Sequence, residues 1–179
     1  MKKLCVFCGS KSGNQQYLKD AETLGHLLAE NKIGLVYGGA KVGLMGALAD
    51  GVLAKGGDVW GVMPQSLIDL EVAHKDLKMF YTVSNMHERK QKMYDLSDGF
   101  LAIPGGMGTL DELFEITTWG QLQYHNKPIW LLNSRGFFDN LLGHLRLASR
   151  EGFISASHLN LITEVKSLSA WHDDWQKKI

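Results

Sequence analysis

"FLAIPGGMGTLDELFEI", residues 100–116, packs a change of secondary structure into a single turn. A strand-sized apolar run meets Pro104, glycines fall at 105, 106 and 108, and Thr109 opens an acidic stretch of helical period. Glycine has the most conformational entropy to lose on ordering, so three of them in one turn imply a backbone that has to stay bare. A buried strand passing through such a turn into a helix is the repeating unit of a parallel sheet.

Working outward, the same unit recurs along the chain. "KLCVFC" (3–8) leads through a glycine-serine turn into a helix near 15–30, with Tyr17, Ala21, Leu24 and Leu28 at three-to-four spacing. "IGLVY" (33–37) passes through Gly38 and Gly39 into "VGLMGALADGVLAKG", and "DVWGVM" (58–63) stops at Pro64. "KMFYTV" (78–83) precedes a helix near 85–96, and "GFLAI" (99–103) precedes the helix after Gly108. "PIWLLN" (128–133) precedes a helix near 137–149; a last strand near 160–165 precedes "SLSAWHDDWQKKI", where Leu168, Trp171 and Trp175 form an apolar stripe. The pattern predicts a three-layer, Rossmann-like α/β fold over 1–179 as one domain, with a parallel sheet of about seven strands and helices on both faces. Residues 64–77 read as the one long irregular connection.

Composition limits the function. Lys+Arg and Asp+Glu balance at 19 each, so there is no general attraction to nucleic acid or an anionic membrane, and any polyanion site has to be local. Apolar runs are strand-sized, too short to span a bilayer. The N-terminus has no cleavage-site pattern behind its short apolar segment. These features predict a cytoplasmic protein. Cys5 and Cys8 form a C-x-x-C, but on a strand that spacing turns the two thiols to opposite faces, and no second pair completes a zinc site.

Ligands of such sheets collect at the carboxyl ends of the strands, where strand order reverses. Both glycine clusters, 38–46 and 105–108, fall at strand-to-helix junctions, where bare N–H groups and a helix N-terminus suit a phosphate. Gly38 and Gly39 in the first cluster and Gly105, Gly106, Met107, Gly108 and Thr109 in the second are therefore candidate substrate-binding residues. Familiar alternatives fail on spacing. "GGAKVGLMG" lacks G-x-G-x-x-G order, and no P-loop or G-x-S-x-G is present. "HERKQ" has Gln91 where a metalloprotease helix needs its second histidine, so no metal site is expected.

Two side chains stand out. Glu112 completes a T-x-x-E capping box with Thr109, in which it would only satisfy a backbone N–H. A helical wheel also puts it beside Glu115 and Trp119, a carboxylate pair suited to chemistry; both readings stay open. Arg89 shares one helical face with Met86, Lys90 and Met93. An arginine aimed inward either snorkels or meets an anion, such as a ligand phosphate or the Glu112/Glu115 pair.

Together these segments resemble the LONELY GUY family of cytokinin riboside 5′-monophosphate phosphoribohydrolases, whose bacterial relatives were often labelled lysine decarboxylases. The likeness spans nearly the whole chain, through "VFCGS", "GLVYGGAKVGLMGALAD", "GVMP", "NKPIWLLN" and "EGFIS". M-x-x-R-K followed by P-G-G-x-G-T-x-x-E is its most specific part. By position, the resemblance implies that Arg89 and Glu112 are the catalytic pair. It implies nucleotide contacts at Glu71, Lys90, the segment Gly106–Thr109 and Thr118. Ala40 stands where many relatives have a third glycine, and "VAHKDLKMF" (72–80) departs from the plant sequences, leaving the base preference open. The implied reaction hydrolyses the N-glycosidic bond of an adenine-type nucleoside monophosphate, with no metal or organic cofactor, in a homodimer or larger homo-oligomer. A non-catalytic nucleotide- or cofactor-binding module on the same fold is the alternative. A pyridoxal-dependent decarboxylase fits poorly, because no lysine has a convincing Schiff-base context.

Overall fold

The computed structural model describes residues 1–68, 72–74, 77 and 79–179. Its strands are short and apolar: β1 (Lys3–Phe7), β2 (Gly34–Tyr37), β3 (Val59–Pro64), β4 (Met79–Val83), β5 (Gly99–Ala102), β6 (Ile129–Leu132) and β7 (Ile162–Val165). β1, β2, β3, β5 and β6 have almost no polar position, as strands covered on both faces require. They form one parallel sheet in the order β4-β3-β2-β1-β5-β6-β7. The chain builds outward in one direction from β1 and then in the other from β5. The crevice at their carboxyl ends is thus where strand order reverses.

Helices α1 (Gln15–Glu30) and α2 (Gly43–Ala54) cover one face, joined near the end of the chain by α8 (Leu168–Lys178). Trp171 of α8 meets Trp130 of β6 edge-on and Trp175 lies tilted against it, so the expected apolar stripe is the buried side of this helix. The other face is covered by α4 (Met86–Leu96), α5 (Met107–Gln121) and α6 (Asp139–Arg150), through Met93, Leu113, Ile116 and Leu142. Cys5 packs with this second cluster and Cys8 with the first, both as free buried thiols.

The described residues within 64–77 are less irregular than the sequence implies. A short helix, α3 (Gln65–Ile68), follows β3, and Ala73 pairs with Ala40 in an antiparallel bridge. A second short helix, α7 (Ala156–Leu159), precedes β7. Among the described residues, no helix is long and apolar enough to cross a membrane.

Candidate active site

β1 and β5 stay in register beyond their last residues. Ile103 N donates to Phe7 O at 3.0 Å, and Gly9 N donates to Pro104 O at 3.2 Å. This carries the chain to Gly105, where a Cβ would strike the Thr109 hydroxyl and come within 2.8 Å of Gly9 N. At Gly106 and Gly108, by contrast, a Cβ would meet none of the described atoms within 4 Å. The turn is therefore closed on its inner side and open on its outer side.

Helix α5 starts here, three residues earlier than a T-x-x-E box would start it. Its N-cap is Gly106, with no side-chain cap bond among the described residues, and Leu110 N already donates to Gly106 O. Thr109 consequently lies inside the first turn, 2% exposed, with its hydroxyl lacking a described partner. Glu112 is not its capping partner, which corrects the capping-box reading. What results is a helix N-terminus with free N–H groups and a positive dipole end, facing open space.

Glu112 turns instead toward α4. That helix is capped by Asn85, whose side chain accepts from Glu88 N at 3.0 Å, while Glu88 Oε2 accepts from Ser84 N at 2.8 Å. One turn in, Arg89 points inward and is 9% exposed. Its Nε donates to Val62 O at 3.1 Å and its Nη1 to Glu112 Oε1 at 3.2 Å. Gly38 lies against the guanidinium so closely that a Cβ there would overlap Nη2. Met86, expected on the same face, is 43% exposed at the helix start.

The Glu112 carboxyl is pushed up to about 7 by burial, against the pull of Arg89. Asp111 and Glu115 push the same way as burial, and Lys90 pulls with Arg89. Carboxyls shifted by burial beside a charged partner cluster at functional sites. Cys8 lies close enough for its thiol to be pushed up by burial and by Glu112, so it is a poor nucleophile.

Lys90 crosses to α5, reaching Glu115 at 2.9 Å and Asp111 at 3.3 Å. Burial alone would push its ammonium down, but the hydrogen bonds it donates to Glu115 and Asp111 outweigh that and raise it. Lys90, Glu112, Glu115, Tyr94 and Trp119 border a cavity of about 10 Å³, one water at most. Thr118 is elsewhere: its hydroxyl donates to Phe114 O, and it lies twelve residues from Gly106, about 18 Å of helix rise. Gly39 sits at φ +80° in the turn beside Arg89. Glu71 lies outside the described residues.

A larger cavity of about 390 Å³ fills the crevice between β1 and β5, in the size range of small-molecule sites. Gly105 and Gly106 form one wall; Ser10 and Lys11 come from the turn after β1, Tyr17 from α1 and Phe137 from the turn after β6. The Tyr17 and Phe137 rings meet edge-on at 5.6 Å. Sequence reasoning assigned no role to these four side chains. The glycine-serine turn after β1 was the available signal for Ser10 and Lys11, whereas nothing local marks Phe137.

The family described as "Possible lysine decarboxylase" matches residues 45–173. The chain is 46% identical over 162 residues to cytokinin riboside 5′-monophosphate phosphoribohydrolase LOG2 of Arabidopsis thaliana, covering 90% of this chain and 76% of that protein. A bacterial enzyme of the same name, from Rhodococcoides fascians, is 43% identical over 169 residues, covering 93% of this chain and 85% of that protein. Among solved structures, the molybdenum cofactor binding protein of Rippkaea orientalis superposes with a TM-score of 0.76 at 22% identity, covering 98% and 96% of the two chains. The Moco carrier protein of Chlamydomonas reinhardtii gives 0.73 at 18%, with the same coverage. At such identities the likeness to these two structures shows the fold alone. The curated relatives are far closer over nearly the same length, and on that ground the chain belongs to the family of the cytokinin riboside 5′-monophosphate phosphoribohydrolases.

Proposed function

We propose that the protein hydrolyses the N-glycosidic bond of an adenine-type nucleoside 5′-monophosphate, releasing free base and ribose 5-phosphate. The observation that carries this reading is the buried Arg89–Glu112 pair, set six residues beyond the uncapped start of α5. Six residues are about 9 Å of helix rise, so one helix offers N–H groups to a phosphate and a carboxylate to the sugar it carries.

Cleavage of the C1′–N bond leaves the electron pair on the base and develops an oxocarbenium-like cation on the ribose. An ionised Glu112 stabilises that cation, attacks it, or takes a proton from the water whose oxygen ends on C1′. Each of these roles needs the carboxylate. Arg89 favours that charged form and holds it in place, and the bare N–H groups at the open start of α5 are available to a phosphate oxygen. Lys90 and Glu115 hold α4 against α5 and set the charge around Glu112. Thr118 is too far along α5 to share that phosphate, so in this reading its contact is with a nucleotide on a neighbouring copy of a homodimer.

The pyridoxal-dependent chemistry suggested by the family description fits these lysines badly. A Schiff-base lysine needs a depressed ammonium, and Lys90 is held up by its carboxylates. Lys127 is pushed down, chiefly by burial, but it precedes β6 at the opposite end of the sheet. A non-catalytic carrier, as the cofactor-binding neighbours would suggest, leaves the elevated Glu112 carboxyl without a purpose. The test is chromatography of AMP, isopentenyladenine ribotide and other monophosphates after incubation with enzyme in EDTA. Equimolar free base and ribose 5-phosphate are expected. Tight AMP binding with no base released would favour the carrier.

A further inference from the structure

Residues 72–74 form a short strap on the outside of the Gly38–Gly39 turn. Lys41 N donates to Val72 O and His74 N to Gly39 O, both at 2.9 Å, on either side of the Ala40–Ala73 bridge. Ala40, Ala73 and Met63 make a small buried cluster beneath it, with Met45 and Phe80 packed alongside. Among the described residues, two backbone bonds and this small cluster hold the strap on the turn. The turn they hold is under constraint on its other side, because Gly38 bounds the guanidinium of Arg89.

His74 adds the third fixing point. Its ring is 6% exposed, and Nε2 lies 3.0 Å from Asp50 Oδ1 on α2. A carboxylate can only accept, so Nε2 carries the hydrogen. Nδ1 is buried with no partner among the described residues. Leaving a ring nitrogen dry and unbonded is costly, and an apolar side chain would cover the site better. The ring is therefore not explained by packing alone; its bond to Asp50 ties the strap to α2.

We propose that His74, held by Asp50, is a positioning residue for Arg89. The bond fixes the strap on Gly39, the strap fixes Gly38, and Gly38 keeps the guanidinium in register with Glu112. The inference rests on the reading of Arg89 and Glu112 as the reacting pair. Glu112 is faced by Arg89 and Lys90 from α4, by Asp111 and Glu115 from α5, by Cys5 of β1 and by Cys8 beyond it; of these, Arg89 is the one the strap touches through the turn. Asp50 is faced in turn by the Tyr37 hydroxyl of β2.

The test reads Glu112 directly, by carboxyl ¹³C titration, together with amide exchange at Lys41 and His74. Asp50 is 71% exposed, so Asp50→Ala removes the bond without opening the core, and His74→Ala is its counterpart. Both should speed exchange at the two amides. Both should also move the Glu112 titration upward by roughly half a unit or more, because a displaced cation lowers a carboxyl less. Asp50→Asn retains an acceptor for Nε2–H and should restore wild-type behaviour in both readouts. Unchanged amide exchange in Asp50→Ala would overturn the latch, and faster exchange with an unmoved Glu112 titration would overturn its link to Arg89. Base release is assayed on the same samples; a wild type that releases none defeats the reaction reading, while the Glu112 titration still decides the positioning role.

Discussion

The two glycine turns look alike in sequence and are used in opposite ways. Gly38–Gly39 is filled by protein: Arg89 presses on one side and the 72–74 strap closes the other. Gly105–Gly106 is packed only inward, and outward it faces the crevice between β1 and β5 with an uncapped helix behind it. A bare backbone thus serves close packing at the first turn and presents N–H groups at the second. If this contrast is right, substitutions near the two turns should fail in different ways.

The largest effect is expected at the carboxylate carried by the open turn's helix. Glu112→Gln should bind AMP and melt no lower than wild type, since glutamine has nearly the same size and can still accept from Arg89. Its kcat should fall by about 10²–10³, the loss typical of one electrostatic transition-state contact. Wild-type turnover in this variant, measured by base release, would remove Glu112 from the chemistry.

Next comes the phosphate. Binding energy from a non-reacting phosphate is used to orient the ribose, so its loss should lower turnover as well as affinity. AMP should exceed adenosine in kcat/KM by about a hundredfold or more, at roughly 1.5–3 kcal/mol for each charge-assisted hydrogen bond lost. Equal rates on the two would detach the open turn from any anion.

The contrast also shows where sequence stops being informative. Alternating apolar strands and helices made the parallel sheet legible, down to the buried faces of Trp171 and Trp175. Arg89 could be placed on one helical face with Met93, but snorkelling and an inward anion partner read the same in sequence. Glu112 could not be assigned, because T-x-x-E reads the same for a cap as for a free carboxylate. What decides it is tertiary: α5 starts at Met107, and Arg89, 23 residues away, supplies the partner. Ser10, Lys11, Tyr17 and Phe137 were missed for the same kind of reason. They come from separate segments that meet only because strand order reverses between β1 and β5.

A smaller effect is expected from pH. With the Glu112 carboxyl pushed up to about 7, activity that needs the carboxylate should rise with pH through that value and level off above it. Below the limb, kcat/KM should fall about tenfold per unit. Stability should run the other way. A carboxyl raised in the folded state contributes fully below its ordinary value of 4.5, and the contribution fades as pH rises through about 7. The charged form that activity requires is therefore the one folding disfavours. A pH–rate profile and a melting series on the same protein should show opposite slopes in this window, and Glu112→Gln should lose this part of the melting slope.

The smallest effects test the two turns head to head. Alanine at Gly38 would drive a methyl group into Arg89, so the fold has to yield by overpacking, typically about 1–3 kcal/mol. The guanidinium moves with it, and kcat should drop for AMP and adenosine alike, because Glu112 loses its partner whichever substrate is bound. Alanine at Gly106 meets nothing among the described residues, and the backbone there is extended at φ −100°. Replacing a glycine N-cap by alanine should then cost under about 1 kcal/mol. The new methyl stands where an anion would approach the N–H groups, so KM for AMP should rise while the slow adenosine reaction stays unchanged. Melting curves and kinetics on both substrates separate the two cases. If Gly106→Ala harmed both substrates equally, the second turn would be a packing device like the first.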